Sequence, residues 1–238
     1  MKSFLIILAF LPLAANCQTS NPASTKKVEL GVTFSPDYCY RTIKSDGSEL
    51  GNWFTSSRDD HEIPKAGYTT GVEFVMHMNK RLAMETGVLF SDKGFKTKKT
   101  DFNPENTNDP LVPSSYRSIY KFQYLDVPFK ANYYILTGKI KLIVSAGVSA
   151  NIRIRMSSTS ILYWDDGTST VDSQNMDDNF RRINLAAIAG FGFHYDVTDK
   201  IGFRLEPTFR HSIISITDAP IKGYLYSAGI HAGVFYTL

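Results

Sequence analysis

Cysteine and long apolar runs are what this 238-residue chain has least of. Its 2 cysteines are Cys17 and Cys39. Cys17 falls in a segment that reads as removable, so the mature chain holds no internal disulfide, an absence that is neutral on compartment. No stretch approaches the about 20 consecutive apolar residues of a membrane helix, so any crossing of a bilayer falls to strands. An excess of one charge is missing as well. Against 23 Asp and Glu stand 26 Lys and Arg, a net charge of +3, too small and scattered for a nucleic-acid surface. No Cys and His spacing suits a metal, and no glycine-rich phosphate loop precedes a helix, so neither metal nor cofactor is expected.

What the chain does have begins with an export signal. Lys2, the apolar run Phe4 to Leu11, Pro12 and the small residues Ala14 and Ala15 follow the n-, h- and c-region order of a secretory leader. Cleavage after Cys17 leaves Gln18 first. The chain then divides into a signal peptide at 1–17, a short tail at 18–26 and one domain at 27–238. The competing reading keeps Cys17 as a lipidated residue; Asn16 and Ala14 fit that poorly.

Within the domain, a period-two stripe recurs eight times. It is plainest where Val28, Leu30, Val32 and Phe34 alternate with Glu29, Gly31, Thr33 and Ser35. Successive side chains of a strand point to opposite faces, so one face is apolar and the other small or charged. The stripes predict strands over Lys27 to Arg41, Tyr68 to Met78, Leu82 to Phe90, Tyr120 to Tyr133, Ile140 to Met156, Ile183 to Tyr195, Ile201 to Arg210 and Tyr224 to Leu238. After Tyr124 the apolar phase slips to Leu125, Val127 and Phe129, which calls for a β-bulge in that strand. Short turns at Asn79-Lys80, Thr137-Gly138-Lys139 and Thr198-Asp199 alternate with long polar loops at 42–65, 92–118 and 157–179 and a shorter one at 218–223. The expectation is an all-β, eight-stranded antiparallel up-and-down transmembrane β-barrel, with short periplasmic turns and longer outer loops.

Period two alone does not say which face is out. The rival is a secreted lipocalin-like barrel with an apolar ligand cavity. The polar phase, however, holds Gly31, Gly71, Gly87, Gly147, Gly190, Gly192, Gly202, Gly229 and Gly233, which make room inside a narrow barrel for long side chains. The same phase carries Glu29, Glu73, Glu85, Asp126, Lys130, Arg153, Arg155, Arg182, Arg204, Glu206 and Arg210. Acids and bases so nearly balanced predict a salt-bridged lumen filling, because an unpaired buried ion is costly. A proton or ion path is the functional alternative. His77, His194 and His231 share the inward phase, where lumen carboxylates account for them.

Tyr124-Leu125-Asp126-Val127-Pro128-Phe129-Lys130 resembles the Tyr-Leu-Glu/Asp-Ile/Val-Pro segment of the PorT-like outer-membrane β-barrel family. Phe203-Arg204-Leu205-Glu206-Pro207-Thr208-Phe209-Arg210 is similar to that family's penultimate strand, although His211 and Ser212 stand where an aromatic and a Gly are more usual. The resemblance implies a small exported barrel in the outer membrane. Some members of the family are linked to protein secretion and gliding machinery.

Catalysis is not expected. His211 and Ser212 are adjacent on a strand and point apart, so they make no nucleophile and base pair. His61, beside Asp59, Asp60 and Glu62, reads as a solvated loop histidine. The function expected is a structural or interaction scaffold. Its partners are outer-membrane lipid and, at loops 42–65, 92–118 and 157–179, protein or glycolipid. A component of a secretion or transport system is the second reading.

Overall fold

From Glu29 to Tyr38 the strand alternates without a break. Leu30, Val32, Phe34 and Tyr38 are exposed, while Glu29, Thr33, Ser35 and Asp37 are buried. The apolar stripe therefore faces outward and the polar stripe inward, the reverse of a water-soluble barrel. The inward apolar cavity of a lipocalin-like binder is excluded on that ground.

The computed structural model describes residues 27–102, 112–176, 180–219 and 221–238. The leader, Cys17 and the tail at 18–26 lie outside the described residues, as do the centre of the second loop and Asp177-Asp178. Ten strands are described in chain order: β1 (Val28–Lys44), β2 (Glu62–His77), β3 (Leu82–Thr97), β4 (Thr100–Asp101), β5 (Ser115–Tyr134), β6 (Ile140–Tyr163), β7 (Ser169–Asn175), β8 (Ile183–Asp196), β9 (Ile201–Ser212) and β10 (Lys222–Thr237). One helix, α1, covers Glu49–His61.

Eight of these strands close on themselves. The hydrogen-bonded order β5-β3-β2-β1-β10-β9-β8-β6 returns to β5 through the β5–β6 pair, and every pairing is antiparallel. Val32 lies between Val72 and Val234, so outward residues meet outward residues around the wall. A one-residue slip would turn a whole charged face to lipid, so this register is firmly specified. The segments 78–81, 135–139 and 197–200 make the short links, and Val28 and Leu238 meet at that same end, with Leu238 N donating to Val28 O at 2.9 Å.

At the opposite end the strands run further than the stripes predict. β2 begins at Glu62, β3 continues to Thr97, β5 begins at Ser115 and β6 continues to Tyr163. Much of the predicted loops is thus regular structure. The 42–65 segment carries α1, and 157–179 carries the upper part of β6 and its hairpin partner β7. β4, β5, β6 and β7 form a sheet rising above the closed wall. Every residue of β7 is exposed, so no apolar phase betrays it.

The β-bulge falls on a different strand from the one predicted. Gln123 pairs with Arg155 and Tyr124 with Arg153, which leaves Ile154 of β6 unopposed. On β5, Phe122, Tyr124, Asp126, Pro128 and Lys130 all keep the inward phase. Only the chemistry of the interior changes there, from aromatic to charged. The extra residue instead turns Met156 inward and Arg155 outward.

Candidate functional site

The inward phase delivers ionisable side chains from six strands to the middle of the barrel. Glu85 is at its centre: Lys130 Nζ stands 2.5 Å from one carboxylate oxygen and Arg204 Nη1 2.5 Å from the other, with Asn132 also donating at 2.5 Å. Lys130 is 3.6 Å from Glu73, whose second oxygen is 2.8 Å from His231 Nε2. Glu206 accepts from Ser145 Oγ. Arg210 reaches Asp37 at 3.3 Å, and Asp37 also accepts from Ser35 (2.7 Å) and Thr69 (2.6 Å). Charges held this way are compensated where an isolated one would not persist.

Further pairs flank this layer. Asp126 accepts from Lys93 and Ser91, both at 2.8 Å. Glu29 lies 3.0 Å from His77 and 3.2 Å from Lys27. His194 is 2.9 Å from Asp196. Arg153 is buried and donates to the Phe180 carbonyl at 3.0 Å.

Two predicted members do not belong. Arg155 is exposed and donates to Asn175 Oδ1 on β7 at 2.9 Å, outside the lumen because of the bulge at Ile154. Arg182 is exposed just before β8 begins, where the inward phase has not started. Conversely, Asp37, Lys93 and the buried ion pairs Arg41–Glu62 and Lys65–Asp92 join the interior. Lys93 and Glu62 lie on strand extensions that carry no apolar stripe, so period two does not distinguish them from loop residues. Asp37 shares the parity of Glu29 and was readable.

Glycines supply the space. A Cβ at Gly190 would collide with Glu206 Oε1, at Gly202 with His194 Nε2, at Gly229 with Asp37 Oδ1 and at Gly31 with the Phe235 ring.

Apolar clusters lie at both ends of the charged layer. Toward the short turns, Val75, Ala83, Tyr134, Ile143 and Phe235 are buried together, and the Arg204 guanidinium lies 4.2 Å from the Phe235 ring centroid. Toward the long links, Phe95, Phe122, Tyr124, Met156, Ile216 and Leu225 form a second cluster, with Phe180 packed on it. Arg41 covers Phe95 at 3.8 Å.

Above the second cluster opens a cleft of about 450 Å³ between α1 and the 213–221 segment, lined by Arg41, Leu50, Phe54, Arg58, Phe180 and Ile221 among others. Its size falls in the range of small-ligand sites. Leu50, Trp53 and Phe54 share one helical face at i, i+3 and i+4 and are exposed. His61 Nδ1 lies 2.6 Å from the Ser57 carbonyl in the last turn of α1. His211 faces outward against Tyr224 and Tyr226 while Ser212 is buried on the opposite face.

Residues 16–219 match the family described as outer membrane protein beta-barrel domain. No curated protein matches the chain. Among solved structures, the chain is similar to Neisserial surface protein A (NspA), at 14% identity and TM-score 0.47, with 88% of this chain and 96% of that one covered. It is also similar to OprG from Pseudomonas aeruginosa, at 11% identity and TM-score 0.39, with 90% and 95% covered. A third likeness is to the outer membrane protease OmpT from Escherichia coli, at 8% identity and TM-score 0.37, with 90% and 96% covered.

Proposed function

The chain belongs to the outer membrane protein beta-barrel domain family, and from that premise we propose that it is a non-catalytic scaffold of the outer membrane that binds partners through its outer face. One observation carries the reading. Among the described residues, the lumen is filled by ion pairs and blocked at both ends by apolar clusters, so the surfaces left for a ligand are outside it. The cleft under α1, the exposed Leu50, Trp53 and Phe54, and the sheet ending in β7 all lie at the long-link end. Loops and extensions on a rigid scaffold are where binding concentrates.

The finer family reading is PorT-like. Its two segments meet in space, since Lys130 of the first and Arg204 of the second share Glu85. That meeting favours a structural role for the motif over a path for protons. Export through the leader at 1–17 belongs to the same reading.

Two measurements test it. In planar bilayers the folded protein should show no stepwise ion current; a steady ohmic conductance would overturn the filled-lumen premise. Photo-crosslinkers placed at Trp53 and at Thr137 in intact cells should give discrete adducts from Trp53 only. Adducts from Thr137 alone would move the binding face to the short-turn end.

A further inference from the structure

On the outer wall, near the long-link end, Lys44 of β1 stands directly opposite Lys222 of β10 in the strand register. Like charges opposed across two strands destabilise a sheet unless something compensates them. Neither lysine has a carboxylate partner among the described residues. Lys44 instead leans diagonally over the Tyr224 ring, with Nζ 5.4 Å from its centroid. On its other side Tyr224 stacks with His211, at 6.3 Å and 16°, and His211 stacks in turn with Tyr226, at 6.4 Å and 8°. Tyr226 meets Phe209 at 6.0 Å and the edge of Tyr40 at 5.9 Å. One ammonium group thus covers the end of a continuous row of stacked rings that includes the His211 imidazole, and Lys222 stands opposite Lys44 in the register.

This array belongs to the lipid-facing wall. Lys222, Tyr224 and Tyr226 have the parity of the exposed Ile230 and Val234, and His211 that of the exposed Phe209. On β1, the outward positions from Leu30 to Tyr40 span roughly 25 Å along the barrel axis at ordinary strand rise and tilt, the height of an outer-membrane apolar band. Lys44 lies four residues beyond Tyr40, roughly 10 Å higher at the same rise and tilt, at the depth of headgroups. A bilayer covers this position from the side, and the anion that layer supplies is phosphate.

We propose that Lys44 and Lys222 form a binding site for the phosphate of an outer-leaflet lipid headgroup, with the Tyr224 ring as its floor. The phosphate supplies the counter-charge that the Lys44–Lys222 register lacks, through charge-assisted hydrogen bonds from both ammonium groups.

The test uses the full chain folded in mild detergent and titrated with lipid A carrying both phosphates, with bound lipid counted by native mass spectrometry. Wild type should retain the lipid, and Lys44→Ala/Lys222→Ala should weaken retention roughly tenfold or more, as for the loss of two charge-assisted contacts. Lys139→Ala/Lys200→Ala removes two lysines that cover Tyr195 and Tyr236 at the opposite rim, and should bind like wild type. Lipid A stripped of phosphate should bind wild type no better than the intact lipid binds Lys44→Ala/Lys222→Ala. Each variant must first show the heat-modifiable band of a folded barrel, and Lys44→Gln/Lys222→Gln replaces any that does not. Equal retention by wild type and the Lys44/Lys222 variant overturns the proposal, as does indifference to the phosphates. Displacement of the lipid by millimolar inorganic phosphate would make the site one for free anions and overturn the lipid reading.

Discussion

Arg204 is fully buried, and it survives there because Glu85 and the Phe235 ring hold it from two sides. Removing it leaves the buried carboxylates of Glu85 and Glu73 to share Lys130, an imbalance whose cost approaches the about 3–5 kcal/mol of a buried charge left unpaired. Arg204→Leu should therefore lower the unfolding free energy, read from urea titration of the folded, heat-modifiable band, by up to that amount. Arg204→Leu/Glu85→Leu should recover part of the loss, since it removes both charges; a double variant no more stable than Arg204→Leu alone would show that packing, not charge, sets the cost. A gentler residue-scale effect lies at the entrance to α1. The Ser48 hydroxyl donates to Asp46 at 2.7 Å and the Ser48 backbone N–H at 3.0 Å, and these bonds hold the Asp46 carboxyl below its usual 3.8. A depressed carboxylate stabilises the turn above the unfolded value and loses that effect as pH falls through the lower, folded one. The Ser48 amide resonance in micelles should accordingly titrate with a midpoint under 3.8, and Ser48→Ala should move the Asp46 midpoint upward.

At the scale of elements, the membrane-facing part of each strand was legible and the part beyond it was not. Within the wall, apolar residues meet lipid and polar ones meet the lumen, so Val28 to Tyr38 announces itself by alternation. Beyond the wall both faces meet water. Ser169–Asn175 then pairs with β6 through its backbone and through exposed polar contacts such as Arg155 to Asn175, and its side chains carry no apolar period. Two local signals were nevertheless present. Ser48 accepts from Gly51 N at 3.0 Å as the cap of α1, and a serine before a helix is a recognised start signal. Asp166-Gly167 closes the β6–β7 hairpin, with Gly167 at φ 81° and Trp164 N donating to Thr168 O at 3.0 Å; Asp-Gly between strands is a strong hairpin pair. A β-branched residue resists that left-handed conformation, so Gly167→Val should open the hairpin to protease between Trp164 and Thr168. The closed wall does not depend on β7, and the heat-modifiable band should persist. Loss of that band instead would make β7 part of the barrel's folding unit.

For the whole molecule, inverted amphipathicity places the free energy unusually. Lipid takes the apolar face, so the middle of the interior is left mainly to ion pairs, with Leu89 and Ile188 buried among them, and the apolar clusters lie at the two ends of the lumen. The sequence pattern showed the charges but not the layers, because Phe122, Tyr124, Met156 and Phe235 are inward residues of the same apolar types that elsewhere face lipid. Only strand phase separates them, and the bulge at Ile154 changes that phase within β6. Three barriers in series make a specific prediction about conductance. Phe122→Ala thins the cluster near the long links, Phe235→Ala the one near the short turns, and neither touches the Glu85–Lys130 contact. Each alone, and the two together, should leave planar bilayers without ionic steps, because the paired charges still fill the middle. Adding Arg204→Ala to both removes a long side chain of that layer, the one that links Glu85 to the short-turn cluster. Water then has a continuous path, and steps should appear only in this triple variant. Steps already present with Phe122→Ala alone would mean that the outer aromatic cluster is the single gate and that the charge layer is permeable as built.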